Sequence, residues 1–268
     1  MTVVLSAGRT SEGLAYWTSG RKHRRWLAVT HGSFGSHLDF CEVLAPFAES
    51  YNLLFWDMPG HGASRSVRPL RRLTEAARAL SRVMEAADCP QAHQLGFSFG
   101  GMIAQSFARR FPSRCSSLIA YACVPITVMA LPWPWAANAF LQMKFAATPW
   151  PQFCEEFSSK VSVREDLQKA FSRSLNKQNP AVRNAIYEAM VYGSTNEPNF
   201  RYEIPVAQIK GSLDDRFPGA RAAMQALSDR LPAELVEEVT GAGHLAHLEQ
   251  PVAFQNGLWR LLRRLDRD

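Results

Sequence analysis

Along most of the chain, apolar runs of strand length alternate with segments whose apolar residues recur at helical spacing. Residues 3–6 and 14–18 suit an opening antiparallel pair of strands. Residues 26–30, 53–56, 93–97 and 118–124 are further strand-type runs, and the unbroken apolarity of the last predicts burial on both faces. Between them, residues 38–48 carry apolar positions at helical spacing. Thr74 is placed to cap a helix whose buried stripe is Leu80, Val83, Met84 and Ala87. Ile103, Phe107 and Phe111 fall at four-residue steps and predict a helix over 101–111. From about Pro125 to Pro205 the alternation stops and the pattern reads as helices only. Ser162 and Glu165 there have the spacing of a capping box. Asn179, Pro180 and Gly193 bracket another helix with a cap, a first-turn proline and a closing glycine. The alternation returns as strand 206–210, helix 219–231, strand 234–239 and helix 251–265.

Repeated strand–helix units imply an α/β fold with a mostly parallel central sheet flanked by helices. The expected organisation is a core in two parts, residues 1–124 and 205–268, with a helical lid inserted over 125–204. In such sheets ligands bind outside the carboxyl ends of the strands, where an insertion of this kind would cover them.

Composition narrows the class. With 47% hydrophobic and 20% charged residues over 268 positions, the chain is an ordinary globular protein, not a collagen, a coiled coil or a disordered tail. The net charge is +6, and the basic clusters, at 21–25, 68–72 and 260–267, are short. They lack the interleaved aromatics of a single-strand binder and read as solvated surface, so no nucleic-acid partner is expected. Five scattered cysteines without a CxxC pair argue against a disulfide framework or zinc site and point to a reducing, cytoplasmic compartment. The N-terminus lacks a basic start followed by an apolar core, so no signal peptide is expected. No charged residue falls between Arg114 and Lys144, a length that would suit a membrane span. Pro125, Pro132 and Pro134 interrupt it, and it reads instead as a buried strand followed by an apolar segment over a pocket.

The chemistry centres on Gly96-Phe97-Ser98-Phe99-Gly100-Gly101, which follows a strand and opens a helix. A serine on so sharp a turn needs small residues two before and two after it, and the turn lifts its hydroxyl out of the sheet. A serine hydroxyl is a weak nucleophile at neutral pH and needs a base oriented by an acid. Downstream of Ser98 the histidines are His244 and His247. His244, in the loop after the strand 234–239, is favoured as base over His247. The acid belongs after the preceding strand, where Asp214 and Asp215 both qualify by position and Asp214 is preferred. An oxyanion would meet the amide of Phe99 at the helix start, and a second amide in the loop 31–35, from Ser33 first and Phe34 second. Asp57, His61 and His31 read as structural, and no His, Cys and Asp cluster has metal spacing, so neither metal nor other cofactor is expected.

With these pieces together, the chain resembles an α/β-hydrolase of the single-domain, lidded kind. The matching segments are HGSFG at 31–35, DMPGHGAS at 57–64, GFSFGG at 96–101, GSLDD at 211–215 and GAGHLAHLEQP at 241–251, in the family's order. The resemblance implies Ser98 as nucleophile, Asp214 as acid and His244 as base, with Ser33 or Phe34 and Phe99 as oxyanion hole. The stretch GFSFGGMIAQ is similar to that of enol-lactonases and small bacterial carboxylesterases.

Trp133, Trp135 and Phe140 in the insertion are the expected substrate-binding residues, an aromatic lining for an apolar group. The leading function is hydrolysis of a carboxylic ester or lactone with an apolar group by Ser-His-Asp acyl-enzyme chemistry. Two alternatives stand beside it: a C–C bond hydrolase of the meta-cleavage-product type, disfavoured by Leu245 after the histidine, and a non-catalytic small-molecule receptor.

Overall fold

The computed structural model describes residues 4–128, 131–197, 199–215 and 219–267. Eight strands join in one sheet: β1 (Ser6–Arg9), β2 (Ala15–Thr18), β3 (Trp26–Thr30), β4 (Asn52–Trp56), β5 (Ala92–Phe97), β6 (Cys115–Tyr121), β7 (Val206–Gly211) and β8 (Val236–Val239). Their order is β1-β2-β4-β3-β5-β6-β7-β8. The opening pair is antiparallel, and β2 meets β4 antiparallel; every other pairing is parallel. The first strand starts later than the expected 3–6, and residue 3 lies outside the described residues.

The helices are α1 (Leu38–Cys41), α2 (Leu73–Ala86), α3 (Phe99–Arg110), α4 (Pro134–Ala147), α5 (Trp150–Val161), α6 (Glu165–Leu175), α7 (Ala181–Gly193), α8 (Ala220–Ser228), α9 (Ala246–Glu249) and α10 (Pro251–Leu265). Side chains alternate across a strand, so each central strand feeds two cores. Trp26, Ala28, Leu54, Trp56, Leu118 and Ala120 pack beneath α2 and α3. Their neighbours Leu27, Val29, Leu53, Phe55, Ile119 and Tyr121 pack with Phe40, Phe47 and the α10 residues Phe254, Leu258, Leu261 and Leu262. Burial on both faces is why these strands are continuous apolar runs.

Four local expectations are corrected. The helix expected over 38–48 breaks into α1 and a 3-10 turn, Ala45–Glu49, because Pro46 has no amide to donate and its ring crowds the preceding turn. Helix α2 begins at Leu73, so Thr74 lies inside the first turn and caps nothing. Strand β6 ends at Tyr121 rather than at residue 124, since Ala122 takes a φ of 45° and turns the chain out of the sheet. Ser162 does not close a capping box with Glu165; its hydroxyl donates to Glu249 instead.

Helices α4 to α7 fall between β6 and β7, and α7 rests on α2 and α3. Arg183 of α7 is buried among aromatic rings, with its guanidinium carbon 4.4 Å from the Phe145 ring centre and 5.0 Å from that of Phe153. It donates to the Phe145 carbonyl at 2.9 Å, a contact that satisfies the last turn of α4 while the charge lies against ring faces. Among the described residues no helix is long and apolar enough to cross a membrane.

Phe107 of α3 is fully buried beneath the sheet. Phe107→Ala is expected to lower unfolding free energy by about 3–5 kcal/mol, through lost transfer energy and the cavity left behind. Urea denaturation would measure this, and a loss below about 1 kcal/mol would show that the site collapses onto the space.

Candidate active site

At Ser98 the chain turns from β5 into α3 with φ 52° and ψ −119°, a left-handed conformation that side chains rarely adopt. The Ser98 amide donates to the Tyr121 carbonyl at 2.9 Å, which fastens the turn to β6. Close packing enforces the rest. A Cβ at position 96 would lie 2.5 Å from the Gly100 carbonyl oxygen and 2.6 Å from the Gly101 Cα. One at position 100 would overlap the carbonyl oxygens of Thr30 and His31 at the end of β3. The glycines let α3 approach two strand ends at once, leaving the serine side chain partly exposed above the sheet.

His244 arrives from the loop after β8, and its Nε2 lies 2.9 Å from the Ser98 Oγ. Its Nδ1 lies 2.9 Å from an oxygen of Asp214, which is 3% exposed at the end of β7. Ser98, His244 and Asp214 thus form one hydrogen-bonded line across the carboxyl ends of three strands. Asp215 turns to solvent and pairs with Arg221 at 3.5 Å. His247 faces the core, stacked on Phe40 with ring centres 4.4 Å apart, and its Nδ1 shares a 2.8 Å hydrogen bond with the Tyr121 hydroxyl.

The loop after β3 bends beside Ser98. Ser33 lines the cavity there, and Phe34 takes a φ of 63°. The backbone donors of Ser33 and Phe34 are bonded to no group among the described residues. Phe99, the other expected donor, opens α3 directly after Ser98. The Phe34 ring is buried edge-on against Trp150, Phe153 and Phe157 of α5, at 6.2, 5.9 and 5.3 Å between ring centres. The insertion therefore grips this loop from above. From below, His31 Nε2 accepts the Met58 amide at 3.0 Å. Asp57 accepts the His37 amide at 2.7 Å and ring at 2.9 Å, together with the Ala63 amide at 2.6 Å. His31 and Asp57 thus pin the loops around the site, while the His61 ring bonds within its own turn, to the Pro59 carbonyl at 3.1 Å.

Over Ser98 and His244 lies a cavity of about 200 Å³. The body contributes Met102, Cys123 and Val124 to its wall, and the insertion contributes Phe157, Ile186, Tyr187 and Met190. Trp133, Trp135 and Phe140, expected as lining, are 68%, 68% and 61% exposed and lie outside this wall. They sit on or just before α4, whose apolar residues spread round its circumference with Asn138, Gln142 and Lys144 among them, so sequence does not show which side faces the body. The signal for the residues that wall the cavity is weaker but present. Ile186, Tyr187 and Met190 share one face of α7, and Phe157 follows Phe153 by one turn of α5. A larger open cleft of about 880 Å³ lies at the opposite, amino-terminal ends of β3, β5 and β6 and holds none of these residues.

A sequence model of the alpha/beta hydrolase family matches residues 27–255. The chain belongs to that family. Among curated relatives, a pimeloyl-[acyl-carrier protein] methyl ester esterase of Serratia marcescens is 25% identical over 89% of this chain and 94% of its own length. A 3-oxoadipate enol-lactonase 2 of Acinetobacter baylyi is also 25% identical, over 94% of both chains. Among solved structures, a thermophilic esterase from Thermogutta terrifontis superposes with a TM-score of 0.80 at 16% identity, covering 98% of this chain and 99% of that one. The enol-lactonase from Burkholderia xenovorans LB400 gives 0.78 at 15% identity, over 96% and 100%. At these identities the structural likeness speaks for the fold.

Two buried histidines near the site give a pH dependence of stability. Burial, and then the nearby His31, drives His61 down to about 3. Burial, and then His244, does the same to His247. Unfolding releases both rings to the ordinary value of 6.5, so the unfolded chain binds more protons between these limits. Stability is full above that window and falls as pH drops through it, by up to about 1.4 kcal/mol per pH unit for each ring. Urea midpoints measured from about pH 7.5 to about pH 5 should fall steadily, and a flat profile would contradict the neutral assignment of the rings.

Proposed function

We propose that the protein is a serine hydrolase that cleaves a carboxylic ester or lactone bearing an apolar group. The observation that carries the reading is the continuous line Asp214–His244–Ser98, with both links at 2.9 Å, ending beneath an apolar cavity. Ser98 Oγ attacks the substrate carbonyl as His244 Nε2 takes the hydroxyl proton. Asp214 accepts the Nδ1–H, fixing the tautomer and stabilising the imidazolium. The negative charge on the carbonyl oxygen is met by the amide of Phe99 at the start of α3 and by that of Ser33, with Phe34 as the second choice in that loop. His244 then passes the proton to the departing alkoxide. Water, deprotonated by the same ring, releases the acyl group from Ser98.

Helices α4 to α7 act as the lid of this site. The described cavity wall is apolar apart from Ser33, Ser98, Tyr187 and His244, which suits a hydrocarbon acyl group packed beneath α5 and α7. The names of the esterase and enol-lactonase relatives support ester or lactone chemistry at this level.

A p-nitrophenyl ester series tests the proposal, with turnover expected for the wild type and lost in Ser98→Ala. A folded wild type that cleaves neither these esters nor simple lactones would overturn it. Asp214→Asn is expected to lower kcat by about 10⁴-fold, because the imidazole loses the acid that fixes its tautomer. Asp215→Asn should leave kcat within about twofold, since that carboxylate is exposed and pairs with Arg221 at the surface. Equal losses in the two variants would refute the assignment of the acid. Met190→Trp should move the preferred acyl chain to shorter lengths by filling the lid side of the cavity, and an unchanged chain-length profile would place the acyl group elsewhere.

A further inference from the structure

Glu249 is buried, and its two carboxylate oxygens serve different parts of the molecule. Oε2 accepts the amide of Gly243, the residue immediately before His244. Oε1 accepts the Ser162 hydroxyl at 2.6 Å and the Val163 amide at 3.1 Å. Ser162 and Val163 form the joint between α5 and α6, and Ser162 is itself buried. The joint lies directly on the histidine loop: a Cβ at position 243 would be 3.0 Å from Val163 Cγ1. On the loop's other side, Tyr121 holds the His247 amide at 3.0 Å and the His244 carbonyl at 3.3 Å. The histidine segment is thus fastened on two sides, and one fastener is shared with the helical insertion.

Hydrogen bonds to a buried carboxylate are strong, and removing one donor leaves charge without compensation in a dry site. The α5–α6 joint therefore cannot shift without weakening the hold on Gly243. We propose that Glu249 is a positioning residue that ties the placement of His244 against Ser98 to the seating of the α5–α6 joint. It makes no proton transfer and acts through the loop. This inference rests on the triad reading above, and it assigns to the insertion a role in catalysis beyond covering the substrate.

The test compares Glu249→Gln, Ser162→Ala and the double variant with the wild type. Glutamine keeps the shape of the side chain but must turn an N–H toward one of the donors. Turnover of p-nitrophenyl butyrate is measured per active site, counted by complete fluorophosphonate labelling, and the labelling rate is followed separately. Glu249→Gln is expected to lower kcat by about tenfold or more with KM within about twofold, the signature of a misplaced catalytic group. Ser162→Ala, remote from the reacting atoms, should lower kcat several-fold in the same sense. The double variant should be no worse than Glu249→Gln alone, because both changes break one link. Labelling rates should fall in parallel. Folded single variants with wild-type kcat and labelling rate overturn the proposal, whatever happens to their melting temperatures. A wild type that labels but cleaves neither this ester series nor simple lactones refutes the ester or lactone reading alone, and the labelling rates then decide the role of Glu249. A wild type that does neither overturns both.

Discussion

The backbone reversal at Ser98 is the constraint on which the site depends. A positive φ at a residue with a side chain is strained, and it persists here because the neighbours leave the chain no other course. Strand β5 must end against β3 and β6, and α3 must start within contact of the β3 carbonyls. The three strand ends that hold this turn, with β7 and β8 beside them, also launch the loops carrying Ser33, Asp214 and His244. Parallel strands converge their carboxyl ends on one edge of the sheet, so groups far apart in sequence meet without long connections.

Around that edge several buried polar groups hold loops in place. Asp57 gathers three donors, His31 bridges two loops, and Tyr121 and Glu249 hold the histidine segment. Each such group would be costly to bury alone and is inexpensive only when its partners are in place. The loops of the site are therefore specified by all-or-none networks, which is what a reaction sensitive to displacements of under an ångström requires.

Sequence showed the framework of this site well and its roof poorly, for a physical reason. Ser98, Asp214 and His244 sit at the ends of strands whose apolar runs have fixed length and period, so position along the chain translates into position in space. The glycines at 96 and 100 carry their own steric logic. In the insertion, each helix can turn any face inward. For α4 the pattern gave no preferred face, and Trp133, Trp135 and Phe140 emerged on the outside. The capping spacing of Ser162 and Glu165 was also real in sequence, yet a long-range partner, Glu249, claimed the serine hydroxyl. The same oxygen still accepts a local amide, that of Arg164 rather than of Glu165, so the long-range partner sets the geometry of the cap.

Helix α4 is distinctive in another respect. Of the side chains along Pro134–Ala147, Phe145 is the one that is buried, while Trp135, Phe140 and Met143 stand more than half exposed. Most of the helix contributes little burial energy to the fold that carries it, so its backbone hydrogen bonds stand close to those of an isolated peptide, which are marginal at this length. Stability in the molecule is accordingly graded, higher in the doubly covered strands than in this helix. A helix so placed can fray without opening the doubly covered strands, and the joint that holds the histidine loop lies beyond it, between α5 and α6.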